Sequence, residues 1–566
     1  MGRWALLPVA LLLLAYTAWG ATYYVDPDCT DTNVGSGTPD GTQYDPAGLS
    51  CTGGGASYYV TIADVNAATF SANDSILFKK GETWTAAITF PSSGSEGSPI
   101  TIGTYGSGAQ PVIDATGLDW AFLANGKSYL IFDGFDVRGG DATYTPVFIY
   151  SSSNNNIIRN NTVRHATGSS PYPAVFIYNS SNNVVDNNVV DNVYKGIGAT
   201  RSSVGTADGN TISNNTVTGS VDYAIVVNGD DVGFAGATNT IVEHNTAYNN
   251  KGTDDRAAIG AFNPGAGTIF RYNLAYNNGD ATHQYTGFWV DGDGNEAATT
   301  FSYNIAYGNS KEGFAATGNA AHAFYNNTSY HNAVNYDAAE INLFTATEAP
   351  QGYLIKNNIF VASSNRRLLD TPAGGTTGHA IDYNLWYGGD ATPFNWGGTE
   401  YNYADYKTTS SQDAHSVNAD PLFVSTVTSD FRLQPGSPAI NAGVNVSLTT
   451  DYLGNTVPFN DTADLPDIGA YEWGYGGPIL TTPADTDTGI GWPVEFVWEA
   501  LDAAVMYQLQ VDDSGVTFPS PEIDDDTIDP GTYCTGTECT YSVEAGGALD
   551  YSTEYWWRVR AFVPME

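Results

Sequence analysis

The sequence predicts an all-β protein, a β-solenoid with coils of about 28 residues followed by a small β-sandwich. Three observations carry this: an asparagine-bearing unit recurs through the middle of the chain, each unit has room for three short strands but no helical period, and the composition shifts at Gly474–Pro478. The units include I-I-R-N-N-T-V, V-V-D-N-N-V-V, T-I-S-N-N-T-V, I-V-E-H-N-T-A-Y, I-F-R-Y-N-L-A-Y and L-I-K-N-N-I-F. Aligned, they place asparagine at Asn161, Asn188, Asn215, Asn245, Asn273, Asn304, Asn327, Asn358 and Asn384, eight intervals across 223 residues. A carboxamide both donates and accepts, so an asparagine repeated coil after coil can complete a buried ladder at a turn that water does not reach.

The N-terminus reads as a secretory signal over residues 1–20: Arg3, an apolar run, then A-W-G before Ala21. No later segment is long and apolar enough to span a bilayer, so the mature chain is expected to be exported and not inserted in a membrane. The four cysteines suit an oxidising compartment as two local disulfides, Cys29 with Cys51 and Cys534 with Cys539. A net charge of −41, from 61 acidic against 20 basic residues, repels nucleic acid and anionic lipid. It would also repel an acidic polysaccharide unless a divalent cation bridged the two.

The repeat resembles that of the right-handed parallel β-helix proteins, which include pectate lyases, polysaccharide epimerases, glycoside hydrolases and phage tailspikes. Residues 21–115, with T-Y-Y-V-D-P-D-C and S-I-L-F-K-K-G-E-T-W, resemble the N-terminal cap and first coils, and residues 116–473 the body of the helix. Residues 478–566 resemble a fibronectin type III domain, with Trp498 as core tryptophan, Tyr555 in the place of the corner tyrosine, and no counterpart of its last strand.

In such a helix the strand after the asparagine coil lines the groove used for ligands. These strands are expected at V-F-I-Y from Val175, G-I-G-A from Gly196, A-I-V-V from Ala224, A-I-G-A-F from Ala258, G-F-W-V from Gly287, G-F-A-A from Gly313 and A-E-I-N from Ala339. N-K-G-T-D-D-R-A-A-I-G-A-F, followed by Y-T-G-F-W-V-D-G and K-E-G-F-A-A-T-G, is most similar to the family 9 pectate lyases. That resemblance implies calcium held by Asp254 and Asp255, with Asp222 one coil earlier as a further ligand. Calcium would neutralise a uronate carboxylate and make the adjacent carbon acidic. Where the family carries its base lysine this chain has Trp289, so the base is sought among Lys251, Lys195, Lys311 and His283, with Arg256 neutralising the substrate carboxylate.

W-V-D-G-D-G-N-E offers Asp291 and Asp293 as further calcium ligands, against a reading as a tight polar turn. Side chains of a strand alternate between faces, so if Phe288 fills the core, Trp289 faces the groove. Trp289, Tyr285, Tyr223 and Lys195 are therefore the expected sugar contacts. The sequence thus predicts an exported protein that binds polysaccharide, most readily an acidic one, and if catalytic acts as a calcium-assisted uronate lyase. A glycoside hydrolase and a non-catalytic surface or adhesive protein are the rival readings.

Overall fold

A computed structural model describes residues 20–562, apart from 140–143, 166–171, 230–235, 253–255, 293, 295, 346–348, 435, 459–464, 474–479, 484–489, 502–503, 505, 514–520, 545–548, 551–552 and 554. The expected signal segment and the candidates Asp254, Asp255 and Asp293 lie outside the described residues. The chain divides into two compact units, residues 1–269 with 274–299, and residues 270–273 with 300–566.

The first unit is a parallel β-helix. Three strands per coil stack on their counterparts in the next coil, each in its own sheet. The strand before the asparagine turn runs Ile157–Arg159, Val184–Asp186, Thr211–Ser213, Ile241–Glu243. The strand after it runs Thr162–His165, Val189–Asp191, Thr216–Thr218, Thr246–Tyr248, Leu274–Tyr276. The third, groove-lining strand runs Phe122–Asn125, Val147–Tyr150, Pro173–Tyr178, Lys195–Arg201, Ile225–Gly229, Arg256–Phe262, Tyr285–Asp291.

Valine, isoleucine and phenylalanine fill the interior, as Ile158, Val185, Ile212 and Val242 do in one column and Val147, Val175, Ile197 and Ile225 in another, all fully buried. Branched residues suit a strand, and stacking like on like leaves no gap between coils. The open N-terminal end is closed by Thr22–Val25, Gly41–Tyr44 and Ala56–Tyr59, with the helix Ile62–Ala67 capped by the Thr61 hydroxyl. Cys29 and Cys51 are bonded there, beside buried Tyr44, Tyr58 and Val60.

The sharp turn between the first two strands explains the N-N pairs. The residue before each ladder asparagine is left-handed: Asn160 at φ 56°, Asn187 at 51°, Asn214 at 55° and His244 at 54°. Asparagine is among the few residues that adopt this conformation readily, and here it does so once per coil. His244 thus belongs to the turn. The asparagine that follows points inward: Asn188 Oδ1 accepts from the backbone and side-chain nitrogens of Asn161, both at 3.0 Å, and its Nδ2 lies 2.9 Å from Ile158 O. Asn215 accepts in turn from Asn188, and Asn245 from Asn215. A second ladder, Asn156 to Asn183 to Asn210, closes the turn that follows the groove strand.

The second unit repeats this coil. Its ladder runs Asn273, Asn304, Asn327, Asn358, Asn384. Its groove strands are Phe314–Ala316, Ala339–Leu343, Arg367–Asp370 and Phe394–Trp396. Further along, Leu480–Thr482, Val494–Glu499, Glu538–Val543 and Cys534–Thr535 form one antiparallel sheet, and Ile523–Ile528, Met506–Asp512 and Trp556–Phe562 another. Trp498 is fully buried in their common core with Tyr507, Leu509 and Val511. Tyr555 Oη accepts from Asp550 N, five residues upstream, at 2.8 Å, and Cys534 is bonded to Cys539. This is the arrangement of a small β-sandwich.

Replacing Asn188 by alanine leaves the backbone N–H of Asn161 and the carbonyl of Ile158 without their partner in a dry interior. A loss of about 3 kcal/mol is expected in urea unfolding. A loss below about 1 kcal/mol would mean that water replaces the ladder.

Candidate functional site

In the first unit, the entry edge of the groove sheet gathers charge. Lys195, Arg256 and Tyr285 are each the first residue of a groove strand. Arg256 pairs in register with Tyr285, and Ile225 with Ile259, which brings Asp222 level with Arg256. Asp222 is buried, with Oδ1 2.5 Å from Arg256 Nε and Oδ2 3.4 Å from Lys195 Nζ. The Arg256 guanidinium lies 5.9 Å from the centroid of the Tyr223 ring. Burial works against the charge on Arg256, but the facing Asp222 carboxylate outweighs it and holds the guanidinium above its ordinary value.

This geometry revises two expected roles. Asp222 is already compensated by two cations, so it anchors ion pairs and does not offer calcium a bare carboxylate. Tyr285 is fully buried, and its hydroxyl donates to the carbonyl of Asp222 at 2.6 Å, with that of Ser220 at 3.3 Å. Burial pushes its phenol far above the ordinary range. Its place at a strand entry suggests a sugar contact, but the ring is fully buried and braces the turn that carries Asp222.

One turn beyond, Lys251 and His283 converge on one carboxylate. Lys251 Nζ lies 3.7 Å from Asp280 Oδ2, and His283 Nδ1 lies 2.9 Å from Asp280 Oδ1. Hydrogen bonds from the hydroxyl and N–H of Thr282 hold the Asp280 carboxyl well below its usual range, and His283 adds to this. Asp280 was not singled out by the sequence reading. The signal available was its spacing, D-A-T-H, which sets a carboxylate three residues before an imidazole in a tight turn.

Along the strands, parity places Trp289 as expected. Phe288 and Val290 are fully buried, and the half-buried Trp289 lies on the outer face, in register with Gly260. The Tyr223 ring covers that same glycine, 3.5 Å from where a Cβ would stand. The indole Nε1 of Trp289 is buried with no acceptor among the described residues. Asp291 is half-buried at the strand end, level with Phe262. Glu296 folds back to accept from Gly294 N at 2.8 Å, as a tight polar turn requires.

Among the described residues, no three carboxylates gather at this site. The trios that do are Asp31, Asp40 and Asp64 in the N-terminal cap, and Asp512, Asp513 and Glu522 in the sandwich.

In the second unit, Glu312, just before a groove strand, and Glu340, on one, are buried. Lys311 Nζ lies 3.8 Å from Glu312 Oε1, which also accepts from Asn342 Nδ2 at 3.2 Å. Glu340 is fully buried, accepting from Ser329 Oγ at 2.6 Å and from Asn332 N at 2.9 Å, so it continues a ladder that reaches Asn332 from Asn309. Burial pushes its carboxyl up to about 7, against the lowering effect of those hydrogen bonds.

Fold and site together define a parallel β-helix whose outer groove carries paired cations, a carboxylate-bound imidazole and half-buried aromatic rings. A family model described as the right handed beta helix region matches residues 121–236. A pectate lyase, Pel9A, aligns at 17% identity over 80% of this chain and 97% of its own, with a TM-score of 0.39. An alginate lyase from Paenibacillus sp. str. FPU-7 aligns at 19% over 52% of this chain and 96% of its own, with a TM-score of 0.36. XylC in complex with xylose aligns at 11% over 95% and 100%, with a TM-score of 0.42. At these identities and TM-scores the likenesses carry no argument about this chain. No curated protein matches the sequence. No helix among the described residues is long and apolar enough to cross a membrane.

Two outcomes are expected. Asp222→Ala leaves Arg256 and Lys195 without their buried counter-charge and lowers stability by about 3 kcal/mol in urea unfolding, whereas an unchanged midpoint would show that the cluster is not structural. Glu340 binds its proton more tightly folded than unfolded, so its contribution is full below the ordinary carboxylate range and is lost as pH rises through about 7. Stability measured from pH 5 to pH 8 is expected to fall in the wild type and to lose this component in Glu340→Gln. Equal slopes in the two would refute the assignment.

Proposed function

We propose that this is an exported protein that binds an acidic polysaccharide along the groove sheet of its first unit and cleaves it by β-elimination. The observation that carries the reading is the convergence of Lys195 and Arg256 on buried Asp222, beside an imidazole fixed by Asp280, in a chain with only 20 basic residues. Cations held in place by a buried carboxylate need little reordering to meet a uronate. Arg256 suits the task because its planar fork matches a carboxylate.

In this reading Arg256 neutralises the uronate carboxylate and makes the hydrogen on the adjacent carbon acidic. His283 takes that proton at Nε2, since Nδ1 faces Asp280. Its fixed orientation against Asp280 fits it for the role better than the exposed ammonium of Lys251. The bond from the neighbouring carbon to the glycosidic oxygen breaks, a carbon–carbon double bond forms, and water returns a proton to the leaving oxygen. Trp289 and Tyr223 stack against the sugar rings. Calcium enters only through Asp254, Asp255 and Asp293, outside the described residues, and no step depends on it. The fibronectin-like sandwich serves as a connector.

The test is an assay on alginate and polygalacturonate that follows the ultraviolet absorbance of unsaturated products together with reducing ends. Absorbance is expected, reduced about a hundredfold or more in His283→Ala and less in Asp280→Asn. Reducing ends without absorbance would mean hydrolysis, and inactivity on both polymers would leave only binding.

A further inference from the structure

Two coils nearer the N-terminus, the same groove sheet carries a feature that the charged cluster does not use. Strands Val147–Tyr150 and Pro173–Tyr178 pair in parallel, with Phe148 level with Phe176 and Tyr150 level with Tyr178. Val147, Ile149, Val175 and Ile177 are fully buried, so these four rings project from the outer face. Phe148 and Phe176 stack at 5.5 Å and 4°, and Tyr150 and Tyr178 at 6.0 Å and 21°. Within each strand the rings also meet, Phe148 with Tyr150 at 5.0 Å and Phe176 with Tyr178 at 5.4 Å. Tyr172 extends the layer, 5.9 Å from Phe176 and 6.0 Å from Tyr144. Tyr144, Tyr172 and Tyr150 are 56%, 42% and 37% exposed.

The outer face of a solenoid sheet is normally polar. Six contiguous rings, five of them at least partly exposed and with no charged side chain between them among the described residues, on a chain of net charge −41, mark a binding surface. Its continuation indicates the occupant. In the next coil Phe176 is level with Gly198 and Pro173 with Lys195. Pro173 and the Phe176 ring close over Gly198, so the aromatic layer reaches onto the next coil, with Lys195 standing at its edge, and leads into the cluster formed by Asp222 and Arg256. A pyranose ring presents a C–H face that is drawn to the negative face of an aromatic ring, while its hydroxyls can meet phenols at the rim. Anionic lipid and nucleic acid find no cation among these rings and meet the repulsion of the whole chain.

We infer that Phe148, Tyr150, Tyr178, Tyr144 and Tyr172, seated on the Phe176 ring that is only 5% exposed, form a stacking platform for successive pyranose rings, and that a bound glycan runs from this platform toward Lys195 and Arg256. This rests on the polysaccharide reading above. It adds a direction and a second region of contact, which long chains reach and short ones do not.

The experiment compares the full chain with Tyr150→Ala/Tyr178→Ala, with the single exposed-site variant Tyr172→Ala, and with Lys195→Met/Arg256→Gln. Binding is measured by affinity electrophoresis on alginate, polygalacturonate and xylan, and by sedimentation with phosphatidylcholine vesicles, with circular dichroism as a check on folding. The double tyrosine variant is expected to weaken binding of long chains about tenfold and to leave disaccharide binding unchanged, while Tyr150→Phe/Tyr178→Phe retains wild-type affinity. If long-chain affinity survives in both Tyr150→Ala/Tyr178→Ala and Tyr172→Ala, the platform is wrong and the charged site stands. If the tyrosine variants weaken binding but Lys195→Met/Arg256→Gln does not, the platform stands and the charged site falls. Wild-type protein that binds no glycan, or that binds only vesicles, overturns both.

Discussion

The structure depends on one tight turn. Each coil must turn sharply between its first two strands within two residues, and that needs a left-handed residue followed by one whose side chain can satisfy buried backbone groups of the preceding coil and meet its counterpart in the next. Asparagine meets both demands, which is why N-N recurs where the sequence otherwise varies. At Tyr272, Tyr303 and Tyr383 the left-handed position is taken by tyrosine, at φ 56°, 53° and 58°, while the inward asparagine is kept at each. The ladder is therefore the stricter of the two requirements. Once the turn is fixed, strand register follows, and with it which residues of the groove strands face outward.

The groove inherits its chemistry from that register. Lys195, Asp222, Arg256 and Tyr285 are far apart in sequence and meet because successive coils stack in parallel. Tyr285, buried beneath the turn, holds the backbone of Asp222 so that its carboxylate stays between two cations. On an acidic surface such an arrangement keeps positive charge in place. Without Asp222 the two cations lose the buried carboxylate that holds them together. The aromatic platform does the complementary task with no charge at all.

The fold was legible in the sequence because its determinant is local and repeated: period, asparagine turn and alternating apolar residues are all visible along one chain. The parity of Trp289 could be read for the same reason. The site was less legible, because its contacts join residues of different coils. Asp222 looked like a metal ligand from its position, and only the register with Arg256 and the reach of Lys195 show its charge to be spent within the protein. Tyr285 looked like a groove aromatic until its burial and its bond to Asp222 O were seen. Glu340, on a groove strand, and Glu312, just before one, are both buried, and Glu340 stands in for an asparagine. Asp280, which joins Lys251 to His283, carried no motif.

The most direct test of the account is hydroxyl-radical footprinting of the wild-type protein with and without saturating alginate, read at individual aromatic side chains. The account predicts that Tyr150, Tyr178, Tyr223 and Trp289 are protected together, while exposed rings elsewhere, such as Tyr387, keep their rates. Unchanged rates at those four rings, with protection appearing on another face or nowhere, would contradict it.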